Sequence, residues 1–197
     1  MYYPLHLNFS KVLDQNDPIN IELYNGVVKI DQYKVKIRLR LIYLIEIHYY
    51  ERFAFIKFHP KILENSENKY KQVGIGLKIG EIRRLIRTCS NLIKSLLIQN
   101  SNYNFAFFGQ VYDKDDVKKR LISRRFELYK KQVTSDFYSE KIKHLEFEMM
   151  NFYTVSLKTE IEFNDDITSF IEYVKFHQDK FQALMTKNAW ESLMNTN

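Results

Sequence analysis

The stretch KQVGIGLKIGEIRRLIRTCSNL, Lys71–Leu92, decides how the chain folds, because three of the five glycines in it give way to an amphipathic segment. Between Ile82 and Leu97, apolar residues recur at steps of three and four, which predicts one apolar stripe of a helix. A glycine inside a helix costs roughly 1 kcal/mol relative to alanine. The helix is therefore expected to begin near Gly80, with Glu81 in its first turn.

The segment before this stretch, Asn20–Pro60, reads as strands. In VKIRLRL the alternation is strict: Val35, Ile37, Leu39 and Leu41 share one face, and the other face is basic. The apolar run LIYLIEI that follows predicts a strand covered on both faces. RFAFIKFHP predicts another strand, which ends at Pro60.

The segment after this stretch alternates between the two types of element. YNFAFFG, Tyr103–Gly109, predicts a short buried strand, and Tyr112–Val133 predicts a second amphipathic helix. His144–Phe163 reads as a strand pair with Asn151 at a turn or bulge. A C-terminal helix is expected to begin at Asp165 and Asp166, because acidic residues suit a helix N-terminus.

This order of elements predicts a mixed α/β fold. Phe53–Pro60, the helix 81–98 and the strand 103–109 form a β-α-β crossover, whose strands are expected to be parallel. The rest of the sheet is expected to be antiparallel. We predict an α/β domain over residues 1–160 and an acidic helical extension over residues 161–197.

Composition narrows the class of protein. Hydrophobic residues make up 45% of the 197 residues, which is ample for a core, and the net charge is +6. From Thr159 onward there are three basic and seven acidic residues, a net charge of −4, which leaves +10 for residues 1–158. A basic body suggests an anionic partner, and a solubilising surface is the alternative. The N-terminus lacks a secretory pattern and no run is long enough to span a bilayer, so a cytoplasmic protein without membrane contact is expected.

Several chemistries lack their sequence patterns. The single cysteine, Cys89, lies on the apolar stripe and is expected to be a core residue, since a buried thiol without a base stays protonated. The five histidines are scattered, so no metal site is predicted. The glycine spacing fits neither a P-loop nor a dinucleotide fingerprint.

The order strand, glycine-rich turn, amphipathic helix, apolar strand, helix ending in ELYKK and strand pair resembles the GNAT superfamily of N-acyltransferases, over roughly Tyr33–Lys158. The motifs FIKFHPK, FAFFG, RRFELYKK and HLEFEMMNFYTVSL are similar to those of small bacterial proteins to which we attach no activity. That second resemblance implies an accessory role in a bacterial defence, toxin–antitoxin or mobile-element system.

The GNAT resemblance implies a coenzyme A site in the turn before the central helix. In that family, backbone N–H groups of the turn bind the pyrophosphate at the helix N-terminus, a general property of helix starts. The matching positions here are Lys71, Gly74 and Gly76, and Arg83 and Arg84 could offset the charge of the nearby Glu81. Lysine replaces the usual Gln or Arg, and Gly80 is a second departure from the family pattern.

The same resemblance implies catalytic residues. Tyr129 matches the tyrosine that protonates the leaving thiolate, but the periodicity argument favours a core role for it. Glu46, flanked by apolar residues in YLIEIHY, is a candidate general base whose pKa burial is expected to raise. The alternative for Glu46 is a salt bridge to Arg40 or to a lysine of a neighbouring strand.

Nucleic-acid binding is the competing interpretation of the basic residues. The candidate phosphate contacts lie on one strand and on two helices: Lys36, Arg38, Arg40, Arg87, Lys118, Lys119, Arg120, Arg124 and Arg125. Such charges also occur simply as the solvated sides of amphipathic elements, and no nucleic-acid-binding motif accompanies them.

The acidic C-terminal segment could cover a sheet edge, pair with the basic face of another copy, or dock onto a partner protein through Trp190. Two functions follow from the sequence. The first is a non-enzymatic, GNAT-like binding module with a protein or nucleic-acid partner and a possible homo-oligomer. The second is an N-acyltransferase that uses acetyl-CoA, with Tyr129 as acid and Glu46 as base.

Overall fold

The structure is a computed structural model of the chain. It describes residues 5–14, 29–50, 52–66, 69–70, 74, 76–108, 124–137, 141–147 and 151–176. Within these ranges, seven strands form one sheet in the order β1-β2-β3-β4-β5-β7-β6. The strands are β1 (Leu7–Asp14), β2 (Lys29–Arg38), β3 (Leu41–Tyr49), β4 (Phe53–Pro60), β5 (Asn104–Phe108), β6 (Lys143–Phe147) and β7 (Phe152–Ser156).

The described ranges also contain three α-helices: α1 (Ile79–Gln99), α2 (Arg124–Asp136) and α3 (Glu160–Phe176). A short 3-10 helix, Lys61–Leu63, follows β4. The pairs β1/β2, β2/β3, β3/β4 and β6/β7 are antiparallel. The predicted mixed α/β class with a mostly antiparallel sheet is confirmed.

The chain divides into two compact units, Met1–Phe105 and Ala106–Asn197. The predicted boundary between residues 160 and 161 stays a prediction. In the first unit, the middle strand β3 is buried along most of its length, as its continuous apolar sequence predicts. Helix α1 buries the predicted stripe, which includes Leu85, Ile86, Cys89, Ile93 and Leu97.

The region between β4 and β5 agrees closely with the sequence pattern. Strand β4 covers the predicted residues, α1 begins one residue before Gly80, and β5 follows after a short turn. Strands β4 and β5 are neighbours in the sheet, and their parallel pairing stays a prediction. Clean periodicity and flanking turn residues explain this agreement.

The structure corrects the prediction of a continuous basic strand face over residues 34–40. Strand β2 ends at Arg38, Leu39 and Arg40 form a turn, and β3 begins at Leu41. Leu39 is 79% exposed, so it does not share a core face with Val35, which is fully buried. A register shift between Lys36 and Arg38 breaks the alternation just before the turn.

The second unit packs an aromatic core. Phe107 stacks on Tyr153 with ring centroids 5.5 Å apart and contacts Phe126 at 6.0 Å. Phe152 stacks on Phe170 of α3 at 4.9 Å. Asn151 joins β6 to β7 with φ 50°, a left-handed conformation that asparagine tolerates, which confirms the predicted turn.

Helix α3 begins five residues before the predicted start. Thr159 precedes it, and its hydroxyl accepts a bond from the Glu162 backbone N–H at 3.4 Å. Glu162 in turn accepts from the Thr159 backbone N–H at 3.1 Å. This reciprocal capping box starts the helix, so Asp165 and Asp166 lie in its second turn. Asp166 is buried and pairs with Lys158.

Candidate functional site

A buried group of polar side chains lies on one face of strands β2, β3 and β4. Glu46 of β3 stands directly opposite Gln32 of β2 and Lys57 of β4 in the strand register. His48 and His59 lie two residues further along β3 and β4, so alternation places them on the same face. All but Lys57, which is half-buried, are almost completely buried.

The Glu46 carboxylate is the centre of this group. Its Oε1 accepts hydrogen bonds from Gln32 Nε2 at 3.0 Å, from His59 Nε2 at 3.3 Å and from Lys69 Nζ at 3.4 Å. Its Oε2 accepts from His48 Nε2 at 2.9 Å and from the Tyr70 hydroxyl. We call these six residues the Glu46 cluster: Gln32, Glu46, His48, His59, Lys69 and Tyr70.

The aromatic ring of Tyr70 is held between cations and imidazoles. The Nζ atoms of Lys57 and Lys69 lie 5.1 Å and 5.0 Å from the ring centroid, distances at which a cation is attracted to the ring. The rings of His48 and His59 meet Tyr70 edge-on at 6.1 Å and 5.5 Å. Tyr70 is therefore fixed both by its hydroxyl and by its ring.

The charge state of Glu46 differs from the prediction. Burial works to raise its pKa, but the hydrogen bonds from His48 and His59 and the charge of Lys69 together hold the pKa below its usual value. The expected raised pKa of Glu46 is wrong, because the sequence does not reveal the donors that surround the carboxylate. The alternative of a salt bridge names Arg40 or a lysine of a neighbouring strand. Arg40 lies exposed in the β2–β3 turn, whereas Lys69 Nζ lies 3.4 Å from Glu46 Oε1 and comes from the connection after β4.

The same environment lowers the pKa values of two neighbouring basic side chains, His48 and Lys57. Burial is the main cause that lowers the pKa of His48 to about 4, and Lys57 contributes while Glu46 opposes the change. Burial also lowers the pKa of Lys57 to about 8, with Glu46 opposing and Lys69 contributing. At neutral pH, Glu46 is thus an anion, His48 is neutral and Lys57 is mostly a cation.

The Glu46 cluster joins the sheet to the connection between β4 and α1. Lys69 and Tyr70 belong to that connection, and both bind Glu46 from outside the strands. The geometry gives Glu46 the role of an anchor, because its oxygens already accept five hydrogen bonds. A carboxylate used in this way is a poor proton acceptor for a substrate amine.

The glycine turn lies between this anchor and helix α1. Leu77 N donates to the Gly74 carbonyl at 3.2 Å, and Gly76 adopts φ 73°, a conformation that favours glycine. Glu81 Oε2 accepts a bond from the Lys78 backbone N–H at 2.8 Å, and Glu81 Oε1 lies 3.8 Å from Arg38 Nε. The first turn of α1 therefore already carries a carboxylate with its own counter-ion.

The other residues predicted to bind coenzyme A or to catalyse differ in their burial. Lys71 lies outside the described residues. Arg83 is exposed and Arg84 half-buried on α1. Tyr129 is half-buried on α2, where its ring meets Phe107 edge-on at 5.4 Å, as its alternative core role requires. Burial raises the pKa of the Cys89 thiol well above its usual value, which agrees with an inert core residue.

The described basic residues predicted to contact nucleic acid differ in exposure. Arg125 is buried, which removes it from any phosphate-binding surface, and burial lowers its pKa. Arg87 is half-buried on α1. Lys118, Lys119 and Arg120 and the side chain of Arg124 lie outside what the structure describes.

One end of the first unit does gather exposed basic side chains. The antiparallel register brings the end of β2, the start of β3 and the end of β4 to the same end of the sheet. The turn before α1 joins them, because Arg38 Nη2 donates to the Gly76 carbonyl at 2.5 Å. The exposed cations here are Lys36, Arg38, Arg40, Lys61, Lys78 and Arg83.

Exposed aliphatic side chains share this end. Leu39 is 79% exposed, Ile62 87% and Ile79 62%. These three and the six cations are called the basic end. A contiguous apolar patch with a polar rim is typical of surfaces that bind another macromolecule, so this end of the sheet is a candidate for such a surface.

Helix α3 presents the opposite character. Its buried side carries Phe163, Ile167 and Phe170. Its exposed residues include Glu160, Ile161, Glu162, Asp165 and Glu172, which we call the acidic face. Ile161, Asp165, Thr168 and Glu172 follow steps of four, three and four residues, so they form one outward stripe. No basic residue occurs between Glu160 and Glu172.

The described residues contain no group of three or more His, Cys, Asp or Glu side chains arranged to hold a metal ion. None of the helices in the described ranges combines the length and apolar character needed to cross a bilayer.

The partners of Glu46 were missed by sequence reasoning. The only available signal was alternation: Glu46 and His48 share a face of β3, and Lys57 and His59 share a face of β4. Recognising that the two faces coincide needs the β3–β4 register, and Lys69 and Tyr70 come from a connection without a periodic pattern.

Comparison of the chain with protein-family models, with curated proteins and with solved structures finds no match.

Proposed function

We propose that this protein is a non-enzymatic binding module with a GNAT-like core, and that its basic end binds an acidic surface of a protein partner. The observation that carries the proposal is the basic end itself. Six exposed cations lie at the same end of the sheet as three aliphatic side chains that are each more than half exposed. The order of elements, with four antiparallel strands followed by α1, β5, α2 and a strand pair, supports the GNAT-like core.

The aliphatic side chains favour a protein over a nucleic acid. Phosphates would satisfy Lys36 and Arg40, but they offer nothing to Leu39, Ile62 or Ile79. Stacking on unpaired bases calls for aromatic side chains, and the three apolar residues of this end are aliphatic. A protein surface that combines acids with apolar side chains matches both kinds of residue.

Two features support the absence of acyl transfer. Glu81 places a negative charge in the first helical turn, where the coenzyme A pyrophosphate would bind, and it already accepts the Lys78 N–H bond. Glu46 is bound by five donors and its pKa lies below the usual range. The alternative, an acyl-CoA-dependent N-acyltransferase, would need both groups to be available.

Thermal-shift titration with coenzyme A and acetyl-CoA separates the two functions. A ligand that binds the native state at 100 times its Kd stabilises it by about 2.7 kcal/mol and raises Tm. We expect no shift at saturating concentrations. A rise in Tm that Gly76→Ala abolishes would establish a coenzyme site and overturn the proposal.

Binding is tested with two synthetic acidic helical peptides of equal charge, one with leucines along one face and one with serines in their place. We expect the leucine peptide to bind more tightly, to weaken with salt, and to lose affinity for Arg40→Glu and for Leu39→Ser. Arg52→Glu, another exposed site, is the matched control. Equal binding of both peptides, or tighter binding of single-stranded DNA, contradicts a protein partner.

A further inference from the structure

The acidic face of α3 has the chemistry that the basic end requires. Its exposed acids are opposite in charge to the exposed cations, and Ile161, 75% exposed, offers an aliphatic contact for Leu39 or Ile79. Asp165 and Glu172 lie on the same stripe as Ile161, so charge and apolar surface point outward together. Both surfaces remain exposed within a single chain.

We propose that the partner of the basic end is the acidic face of a second copy of this chain. This inference rests on the proposed function, since it names the occupant of the same surface. We further propose that one basic end binds one acidic face head-to-tail, rather than through two reciprocal contacts in a closed dimer. After the first contact forms, one copy keeps an unused acidic face and the other keeps an unused basic end.

A head-to-tail contact has a specific consequence for assembly. Two copies leave a surface open at each end, so further copies add until the assembly closes into a ring or grows as a filament. An isologous dimer, by contrast, would stop at two copies. The mass of the wild-type protein in solution should therefore rise beyond two chains as concentration increases.

The electrostatic part of the contact depends on salt. The screening length is about 10 Å at 0.1 M and about 3 Å at 1 M ionic strength. Assembly is expected to be strongest at low salt and to shift towards single chains at high salt. Light scattering coupled to size-exclusion chromatography at several concentrations and salt levels measures this directly.

Two variants separate the surfaces. The first, Lys36→Glu with Arg40→Glu, reverses the basic end, and the second, Asp165→Lys with Glu172→Lys, reverses the acidic face. All four side chains are exposed, so circular dichroism and Tm should stay as in the wild type. Each variant alone should be a single chain, with association weakened at least about tenfold by like charges.

The decisive measurement mixes the two variants in equal amounts. The first variant keeps an intact acidic face and the second keeps an intact basic end, so one contact can form between them. We expect association that neither variant shows alone, because an intact acidic face meets an intact basic end and the two reversed surfaces are also opposite in charge. Lys94→Glu paired with Glu127→Lys, reversed at exposed sites outside both surfaces, is the control and should assemble like the wild type.

Several results would overturn the inference. They are a wild type that stays a single chain at every concentration and low salt, a single-surface variant that assembles alone, or a mixture that stays monomeric. If the wild type is monomeric but the basic end still binds the acidic leucine peptide, the inference fails and the proposed function stands. If the peptide does not bind and CoA does, both fail.

Discussion

Removing the carboxylate of Glu46 tests the role of the cluster as an anchor. In Glu46→Ala, five hydrogen-bond donors lose their acceptor inside the protein, and the cations Lys57 and Lys69 lose the anion between them. Breaking a buried ion pair by removing one partner costs about 3 to 5 kcal/mol. For a chain of this size, 1 kcal/mol corresponds to roughly 2 to 4 °C in Tm, so Tm should fall by about 6 to 20 °C.

Urea unfolding followed by circular dichroism measures the change in the free energy of unfolding. Glu127→Ala is the matched control, because Glu127 is exposed on α2 and its loss should change stability by at most about 0.5 kcal/mol. Tyr70→Phe keeps the ring and removes one charge-assisted bond, with an expected cost of about 1.5 to 3 kcal/mol.

A local measurement distinguishes an anchor from a merely stabilising group. Hydrogen exchange of residues 61–70 should speed up in Glu46→Ala more than exchange in α2, because the connection loses its attachment to β3. In the double variant Glu46→Ala with Tyr70→Phe, the two costs should not add, since both remove the same bond. A loss of stability equal to that of Glu127→Ala, or additive costs, would refute the reasoning.

Three further predictions follow from other features. Lys57 has a folded pKa of about 8 against an ordinary 10.5, so the unfolded chain binds more protons than the folded one between these pH values. The free energy of unfolding should therefore rise from pH 8 towards 10. Lys57→Met should remove that rise, as measured by urea unfolding at several pH values. Glu81→Ala should cost about 0.5 to 2 kcal/mol by urea unfolding, whereas Glu160→Ala, an exposed first-turn residue of α3, should cost less. Phe126→Ala should cost about 3 to 5 kcal/mol, because its side chain is fully buried among aromatic rings, and a loss below 1 kcal/mol would contradict this packing.

Acid should act on the Glu46 cluster in two windows. The folded pKa of His48 is about 4 against 6.5 when unfolded, so its contribution to stability is complete above pH 6.5 and declines as pH falls towards 4. The folded pKa of Glu46 lies below its ordinary 4.5, so its contribution is lost only below that value. His48→Phe should remove the loss of stability between pH 6.5 and 4 but keep the loss due to Glu46 at lower pH, as measured by Tm against pH.

Elements with a clear period were predictable from the sequence, and those fixed by distant contacts were not. The stripe of α1 and the apolar run of β5 carry their own signal. The turn at Leu39 and Arg40 keeps an apolar/basic alternation through a place where the chain reverses, so local pattern could not reveal it. The capping-box residues Thr159 and Glu162 indicate the observed start of α3, whereas the acidic pair Asp165 and Asp166 indicates a later one.

The environment of Glu46 illustrates the limit for a site. A lone carboxylate in an apolar strand indicates a raised pKa when nothing else is known. Its donors come from its own strand, from the two neighbouring strands and from a connection more than 20 residues away along the chain. Because their convergence depends on strand register, the sequence supports the existence of the site residue but not its charge state.

The bonds from Lys69 and Tyr70 to Glu46 also divide the connection between β4 and α1 into two parts. The chain between Leu63 and Ile79 is tethered near its middle, so it behaves as two short spans whose closure is separate. Doubling a flexible span costs only about 0.6 kcal/mol. Inserted residues should therefore be tolerated on either side of the tether. An insertion that moves Tyr70 away from Glu46 would instead leave one long span between Leu63 and Ile79, no longer attached to β3.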